Sequence, residues 1–507
     1  MNPSDYRREY SAFCSAFERE RHAKHAGLDT DARAEPLAER YADLWTLQSV
    51  QDLRRALDET PVEYETERAS LRALSGAARA GHLRARTRDV TDELRRCESA
   101  ARVVWKDTSA TLDEMPDVLA QETDAARRRE LSARWLDAVS ACDDLRAERL
   151  ALADESAREL GMDNLRALYA ETTRADFEKL AADADQFLQQ TNARYYSQLA
   201  QFAARQTSPA QEGVPQHADS FHFRRLPHLD PYFPARDLRT TYAATLEGLG
   251  IRVGRQQNVH IDDEARAGKG AHTECFGTNP PEEVLLVVGA RESGAELFRN
   301  FFEAAGRAQF YAWTSRETAA RRPEFVHAPD RATREAYALL FRGLFLDAAW
   351  VGERRYVRVS EAREIALSCA LTEMHDARLA CARLRFWLTL TDATADARSE
   401  QLAETYATLH TEATGFRYQA ATMLLDACAA ERAAESLRAR LFAAGLTEYL
   451  RERHGHRWWA SRRAGDELID VWNTASRYSV EELARLVGVG EPDFALLAEG
   501  LLNALSE

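Results

Sequence analysis

No stretch of this 507-residue sequence reaches the ~18 consecutive apolar residues that a membrane-spanning helix needs. The opening Met1-Asn2-Pro3-Ser4-Asp5-Tyr6-Arg7-Arg8-Glu9 lacks the apolar core of a signal peptide. A cytoplasmic protein with no membrane partner is therefore expected. Cysteine is sparse and odd in number: seven residues (Cys14, Cys97, Cys142, Cys275, Cys369, Cys381, Cys428), with no CxxC pair. Free thiols in a reducing compartment fit that pattern better than a disulfide framework. With 14 prolines and 23 glycines, breakers are few enough to permit long helices. Positive charge is in deficit. A net charge of −15 opposes the counterion release behind non-specific nucleic-acid binding, so no nucleic-acid partner is expected. A P-loop, a Gly-rich dinucleotide loop and a GxSxG elbow are also missing, which removes the commonest phosphate-binding and serine-hydrolase readings.

What is present is helical. The chain is 45% hydrophobic and 29% charged and is rich in Ala, Leu, Arg and Glu. Its length calls for one large helical architecture or two to three lobes. Residues 1–205 read as an N-terminal helical lobe. Apolar positions recur at three- and four-residue spacing around Tyr41–Trp45, Val103–Trp105, Leu131–Leu136 and Leu180–Leu199. Pro36, Pro61, Gly81 and Pro116 are expected to mark its turns. No fixed period recurs, so a bundle is expected rather than a solenoid. Residues 206–235 are rich in Pro, Gly and Ser and read as a linker. Residues 236–507 form the second lobe. It opens on a helix closed by Gly248 and Gly250 and continues with strands after Gly250, at Asn258–Asp262 and at Val284–Val288. A helix at residues 298–315 follows, with Phe298, Phe301, Phe302 and Ala305 on one side.

That helix carries Glu303-Ala304-Ala305-Gly306-Arg307-Ala308-Gln309, and Glu335-Ala336-Tyr337-Ala338-Leu339-Leu340-Phe341 comes soon after it. Ahead of both stands Arg266-Ala267-Gly268-Lys269, with Cys275 six residues further on. Earlier still, residues 155–169 make a helix–Gly–helix joint around Leu160-Gly161-Met162, ending in Leu168-Tyr169. Later come Ala413-Thr414-Gly415-Phe416, His454-Gly455-His456-Arg457-Trp458-Trp459 and Ala464–Trp472. In this order, over roughly residues 155–500, the segments resemble the M3-type (gluzincin, oligoendopeptidase-like) metallopeptidases. The resemblance implies a mostly α fold. It would be a two-lobed helical clam with a central channel and a small β-sheet beside the metal-site helix. Relatives write the metal-site helix His-Glu-Ala-Gly-His-Ala-Gln and take their third zinc ligand from the glutamate matching Glu335. Here Glu303, Ala304 and Arg307 stand at the first histidine, the catalytic glutamate and the second histidine. Family tyrosines that stabilise the oxyanion match Arg432 and Ser436, in the segment that begins at Asp426.

An HExxH helix works because two imidazoles one turn apart share a zinc, while the adjacent glutamate deprotonates its water. Ala304 cannot be a base, and Arg307 brings a permanent cation where a ligand belongs. No catalytic residue, metal or cofactor is therefore expected. Two readings of the replacement stay open. One is an ion-pair network of Glu303, Arg307 and Glu335 at the former metal position. The other is an ordinary surface pair of Glu303 and Arg307. Lys269, His272, Cys275, Ala304, Arg432 and Ser436 are the candidates to line the channel. His454 and His456 could form a metal pair but read better as surface or capping residues. Trp313, Trp350, Trp458, Trp459 and Trp472 read as core. The expected function is a non-hydrolytic pseudopeptidase that binds a peptide, protein or small molecule in the channel. The alternatives are an enzyme with metal-independent chemistry there, or an atypical metallopeptidase. The oligomeric state is left open.

Overall fold

The computed structural model describes all residues except 29–35, 107, 207–213, 393–398, 428–431 and 507, together with the side chains of 205 and 206. Cys428 thus lies outside the described residues. Helix dominates, as the scarcity of breakers requires: twenty-three α-helices among the described residues, with one two-stranded and one three-stranded sheet. The chain forms two compact units, each assembled from three separate segments.

One unit comprises Met1–Ala85, His228–Ala366 and Arg438–Leu497. Its three-stranded sheet has Glu283–Val287 in the centre, parallel to Val259–Asp262 and antiparallel to Glu274–Asn279. The apolar run at 284–287 is buried at three of its four positions, as a central strand should be. Beside the sheet runs the helix Gly294–Trp313, which buries Phe298, Phe301, Phe302 and Ala305 completely. Phe302 packs edge-on against Trp350 at 5.3 Å and against Phe345 at 5.3 Å. Each such ring contributes about 1.5–3 kcal/mol through the area it removes from water. Trp350, Trp458, Trp459 and Trp472 are buried, while Trp313 is half-buried and donates Nε1 to Gln309.

The other unit comprises Arg86–Pro227, Leu367–Leu437 and Ala498–Glu507. Its interior holds two fully buried cations among the described residues, Arg146 and Arg378. In Arg378, the guanidinium donates to the carbonyls of Ala413 and Leu188 and to the side chains of Thr191 and Asn192, and it lies 4.6 Å from the Tyr195 ring centroid. A buried charge is tolerable only when so many acceptors replace its water.

Several local expectations are corrected. Arg102–Trp105 is a strand, paired antiparallel with Thr108–Thr111, because two valines and a tryptophan side by side suit a pleated, half-buried surface better than a helix. Residues Val253–Arg255 form a 3₁₀ turn, not a strand, and Glu274–Asn279 supplies the third strand instead. Gly81 marks no turn. It lies inside Glu65–Arg86, where the Trp45 ring occupies the space a Cβ would need. His217–Arg225 is a helix within the stretch that reads as a linker. Cys97 and Cys142 form a disulfide, with Cα atoms 6.1 Å apart, so not every thiol is free. Their separation of 45 residues gave no spacing signal. Cys14, Cys275, Cys369 and Cys381 are buried and lie outside any disulfide.

Candidate functional site

The helix Gly294–Trp313 starts where Asp230 accepts a hydrogen bond from the Ala295 amide, so a carboxylate sits at its positive end. Gly294 is required there. Its φ is +57° and a Cβ would overlap the Asp230 carboxylate. One turn on from Glu303, Arg307 projects from the same face. The second element, Ala332–Arg342, begins at Asp330, whose carboxylate accepts from the Ala332 amide at 3.0 Å and places Glu335 in the first turn. Gly306 lets the two helices meet. A Cβ there would lie 2.2 Å from the carbonyl oxygen of Tyr337. Glycine beside Arg307 thus sets the interhelical spacing at which Glu335 reaches the guanidinium.

The structure brings Glu303, Arg307 and Glu335 into one hydrogen-bonded group. Arg307 Nη2 donates to Glu303 Oε1 at 2.5 Å and to Glu335 Oε2 at 2.6 Å, and Nε donates to the same Glu335 oxygen at 3.0 Å. The three side chains are 22–26% exposed. Two members are invisible to motif matching. Arg342 Nη1 holds the other Glu303 oxygen at 2.8 Å. Arg334 lies 3.7 Å from Glu335 Oε1 and donates to the Tyr311 hydroxyl at 2.5 Å. Arg342 follows Glu335 by seven residues, two helical turns on one face, and that spacing was the available signal.

Burial alone would raise the pKa of Glu303, but the adjacent Arg307 and Arg342 outweigh it and hold the carboxyl down at about 2. Burial likewise opposes ionisation of Glu335, and Arg307 again wins, so its pKa falls. Arg307 is raised above its ordinary value by the two carboxylates. The neighbouring arginines thus favour the ionised form of both carboxylates.

The remaining candidates are dispersed. Ala304 is fully buried on the same helix. Lys269 Nζ is committed to the Asp262 carboxylate and to the carbonyls of Asp262 and Glu264. His272 is exposed, with Nδ1 3.4 Å from Glu292. Cys275 lies buried in the strand Glu274–Asn279, where burial pushes its thiol up to about 12, the opposite of an activated nucleophile. Arg432 and Ser436 belong to the other unit; Arg432 is exposed and Ser436 half-buried. His454 lies 3.2 Å from Glu467, and His456 is exposed.

No protein-family model and no curated protein matches the sequence. Solved structures do. The chain is similar to an inhibitor-bound PZ peptidase A at 14% identity and TM-score 0.68, over 98% of this chain and 90% of that one. It is similar to an oligoendopeptidase F at 15% identity and TM-score 0.64, over 98% and 89%. The Pyrococcus furiosus carboxypeptidase aligns at 12% identity and TM-score 0.58, over 99% and 98%. The fold is that of the M3 peptidases. The family resemblance of the sequence implies a zinc ion, and the residues present do not fit one. The point shared by Glu303 and Glu335 is filled by a guanidinium nitrogen whose charge repels a second cation. Among the described residues no group of three or more His, Cys, Asp or Glu side chains is arranged to hold a metal.

Proposed function

We propose that this chain is a non-hydrolytic protein on the M3-peptidase fold, a pseudopeptidase that binds a peptide, a protein or a small molecule instead of cleaving it. One observation carries the reading: Arg307 stands hydrogen-bonded between Glu303 and Glu335, at the positions where the family resemblance puts the metal ligands. A guanidinium there can neither polarise a scissile carbonyl as a Lewis acid nor generate a hydroxide. The low pKa of Glu303 supports the silent reading over a repurposed base, because a catalytic carboxylate at neutral pH needs a shift the other way. A cytoplasmic location belongs to the same proposal, with the Cys97–Cys142 bond as the feature that challenges it.

Elemental analysis of the purified protein, run beside a quenched-fluorescent peptide library with and without added Zn²⁺, tests the proposal. We expect no stoichiometric metal and no cleavage, with ligands revealed by a rise in melting temperature. Cleavage that a chelator abolishes would overturn it.

A further inference from the structure

Cys97 and Cys142 are joined across a seam that other contacts already hold closed. Cys97 lies in the last turn of the helix Arg88–Ala100 and is partly exposed. Cys142 immediately precedes the helix Asp143–Glu159 and is fully buried. Arg146, one turn into that second helix, spans the same seam. Its Nη2 donates to Glu98 Oε1 at 2.8 Å, beside Cys97. Its Nη1 donates to Asp143 Oδ1 at 2.8 Å, beside Cys142, and to the Val139 carbonyl at 2.7 Å. At the far end of the seam Arg86 grips Glu159 through two hydrogen bonds, at 3.0 and 2.6 Å. The segment between the cysteines also has a core of its own, with Val103, Trp105, Leu119 and Trp135 buried in it. Opening the sulfur bond therefore leaves the two sulfurs close to each other.

The two sulfurs differ in chemistry. Cys142 stands at the amino end of a 17-residue helix that no side chain caps, one turn from a buried guanidinium whose Nε has no acceptor among the described residues. Both features stabilise a thiolate, and the carboxylates next to the two cysteines, Glu98 and Asp143, are already bound by Arg146. Cys97 is the sulfur an outside thiol can reach. We infer that Cys97–Cys142 is a thiol–disulfide exchange site that accepts two electrons from a dithiol, with Cys97 attacked, Cys142 leaving and Arg146 as a positioning residue. One thiolate of the dithiol bonds to Cys97 Sγ while the Cys97–Cys142 bond breaks and its electron pair passes to Cys142. The second thiolate then displaces Cys97 from the mixed disulfide. The dithiol leaves as its own disulfide, and its two protons pass to the protein's thiols. This inference is independent of the pseudopeptidase reading, and it makes the bond compatible with a reducing compartment, where it stands open.

The test exposes the oxidised, folded wild type to dithiothreitol at pH 7 without denaturant, quenches with N-ethylmaleimide and locates the label by mass spectrometry. Near-ultraviolet circular dichroism is followed alongside. We expect Cys97 and Cys142 to open and be alkylated while the folded spectrum persists, and the bond to re-form in oxidised dithiothreitol. Excess glutathione, quenched early with acid, should be found on Cys97. Arg146→Met should slow the reduction about three- to tenfold and Arg146→Lys should stay within about twofold of the wild type, because a less stabilised thiolate leaves more slowly. A merely structural clasp would instead loosen and speed the reaction. If Arg146→Met does not fold, the position of the glutathione and the reversal in the wild type decide. A bond that resists dithiothreitol until denaturant is added, a folded spectrum lost on reduction, glutathione on Cys142, or an Arg146→Met variant reduced as fast as the wild type or faster would each overturn the inference.

Discussion

Lowering the pH from 7 to 5 should unfold this protein through three imidazoles before its carboxylates begin to titrate. His217, His375 and His410 all lie in the unit that holds Arg378, wedged among aromatic rings. His217 stacks on Tyr418 at 4.0 Å, His410 lies 4.2 Å from the Tyr406 ring, and His375 sits 5.3 Å from Phe416. Each of the last two uses Nδ1, His375 with the Tyr195 hydroxyl and His410 with the Tyr406 carbonyl. Their Nε2 atoms are buried with no hydrogen-bond partner among the described residues. Burial therefore pushes His217 and His410 down to about 4 and His375 to about 3, with Asp426 and Asp376 only partly offsetting it.

The sign follows directly. The unfolded chain takes up these protons near pH 6.5 and the folded chain does not, so stability is full above 6.5 and falls as the pH drops toward the folded values. Each site costs about 1.4 kcal/mol per pH unit, so at pH 5 the three together remove about 6 kcal/mol. That is comparable to the whole stability of an ordinary domain, about 5–15 kcal/mol. Carboxylates such as Glu303, held at about 2, withdraw their contribution only below their unfolded value, well after the imidazoles have acted. The assay is tryptophan fluorescence and near-ultraviolet circular dichroism between pH 7.5 and 4, with urea melts at each step. An unfolding free energy unchanged between pH 7 and 5 would refute the reasoning. So would a His410→Phe variant as acid-labile as the parent.

Two further perturbations have readable magnitudes. Reducing Cys97–Cys142 releases a 45-residue loop, for which chain entropy alone gives about 4 kcal/mol; urea melts with and without a phosphine reductant measure the loss. Gly306→Ala drives a Cβ into the Tyr337 carbonyl, so the helices must part, at a cost of about 1–3 kcal/mol in thermal or chemical melts.

The sequence made the Glu303 helix and the central strand legible, because each follows a period: Phe298, Phe301 and Phe302 at helical spacing, and Val284–Val287 as a short buried run. Ordered motifs also led to Glu335, although thirty-two positions separate it from Glu303. What stayed hidden depends on tertiary approach. Arg342 looks like any helix-end arginine until Gly306 brings its helix close. Gly81 looks like a breaker until Trp45 fills the space beside it. The hairpin at Arg102–Thr111 hid inside an apolar pattern that also suits a helix, and only cross-strand pairing decides between the two.

The way each unit gathers its segments bears on how the chain is made. The first 85 residues share a unit with Arg438–Leu497, where Trp472 packs against Tyr337 and Phe341 on the Glu335 helix. At about 5–20 residues per second, the ribosome needs roughly 20 to 70 seconds to travel from the first of these segments to the last. The last segment of the other unit, Ala498–Glu507, emerges later still. Neither unit can complete its core before its last segment has been made. The first helix, Pro3–His25, with Tyr6, Tyr10 and Cys14 among its buried residues, is fully matched only when Glu274–Asn279 and Pro323–Phe325 have been made. A chaperone that shields this face until those segments emerge is a natural requirement of such a chain order.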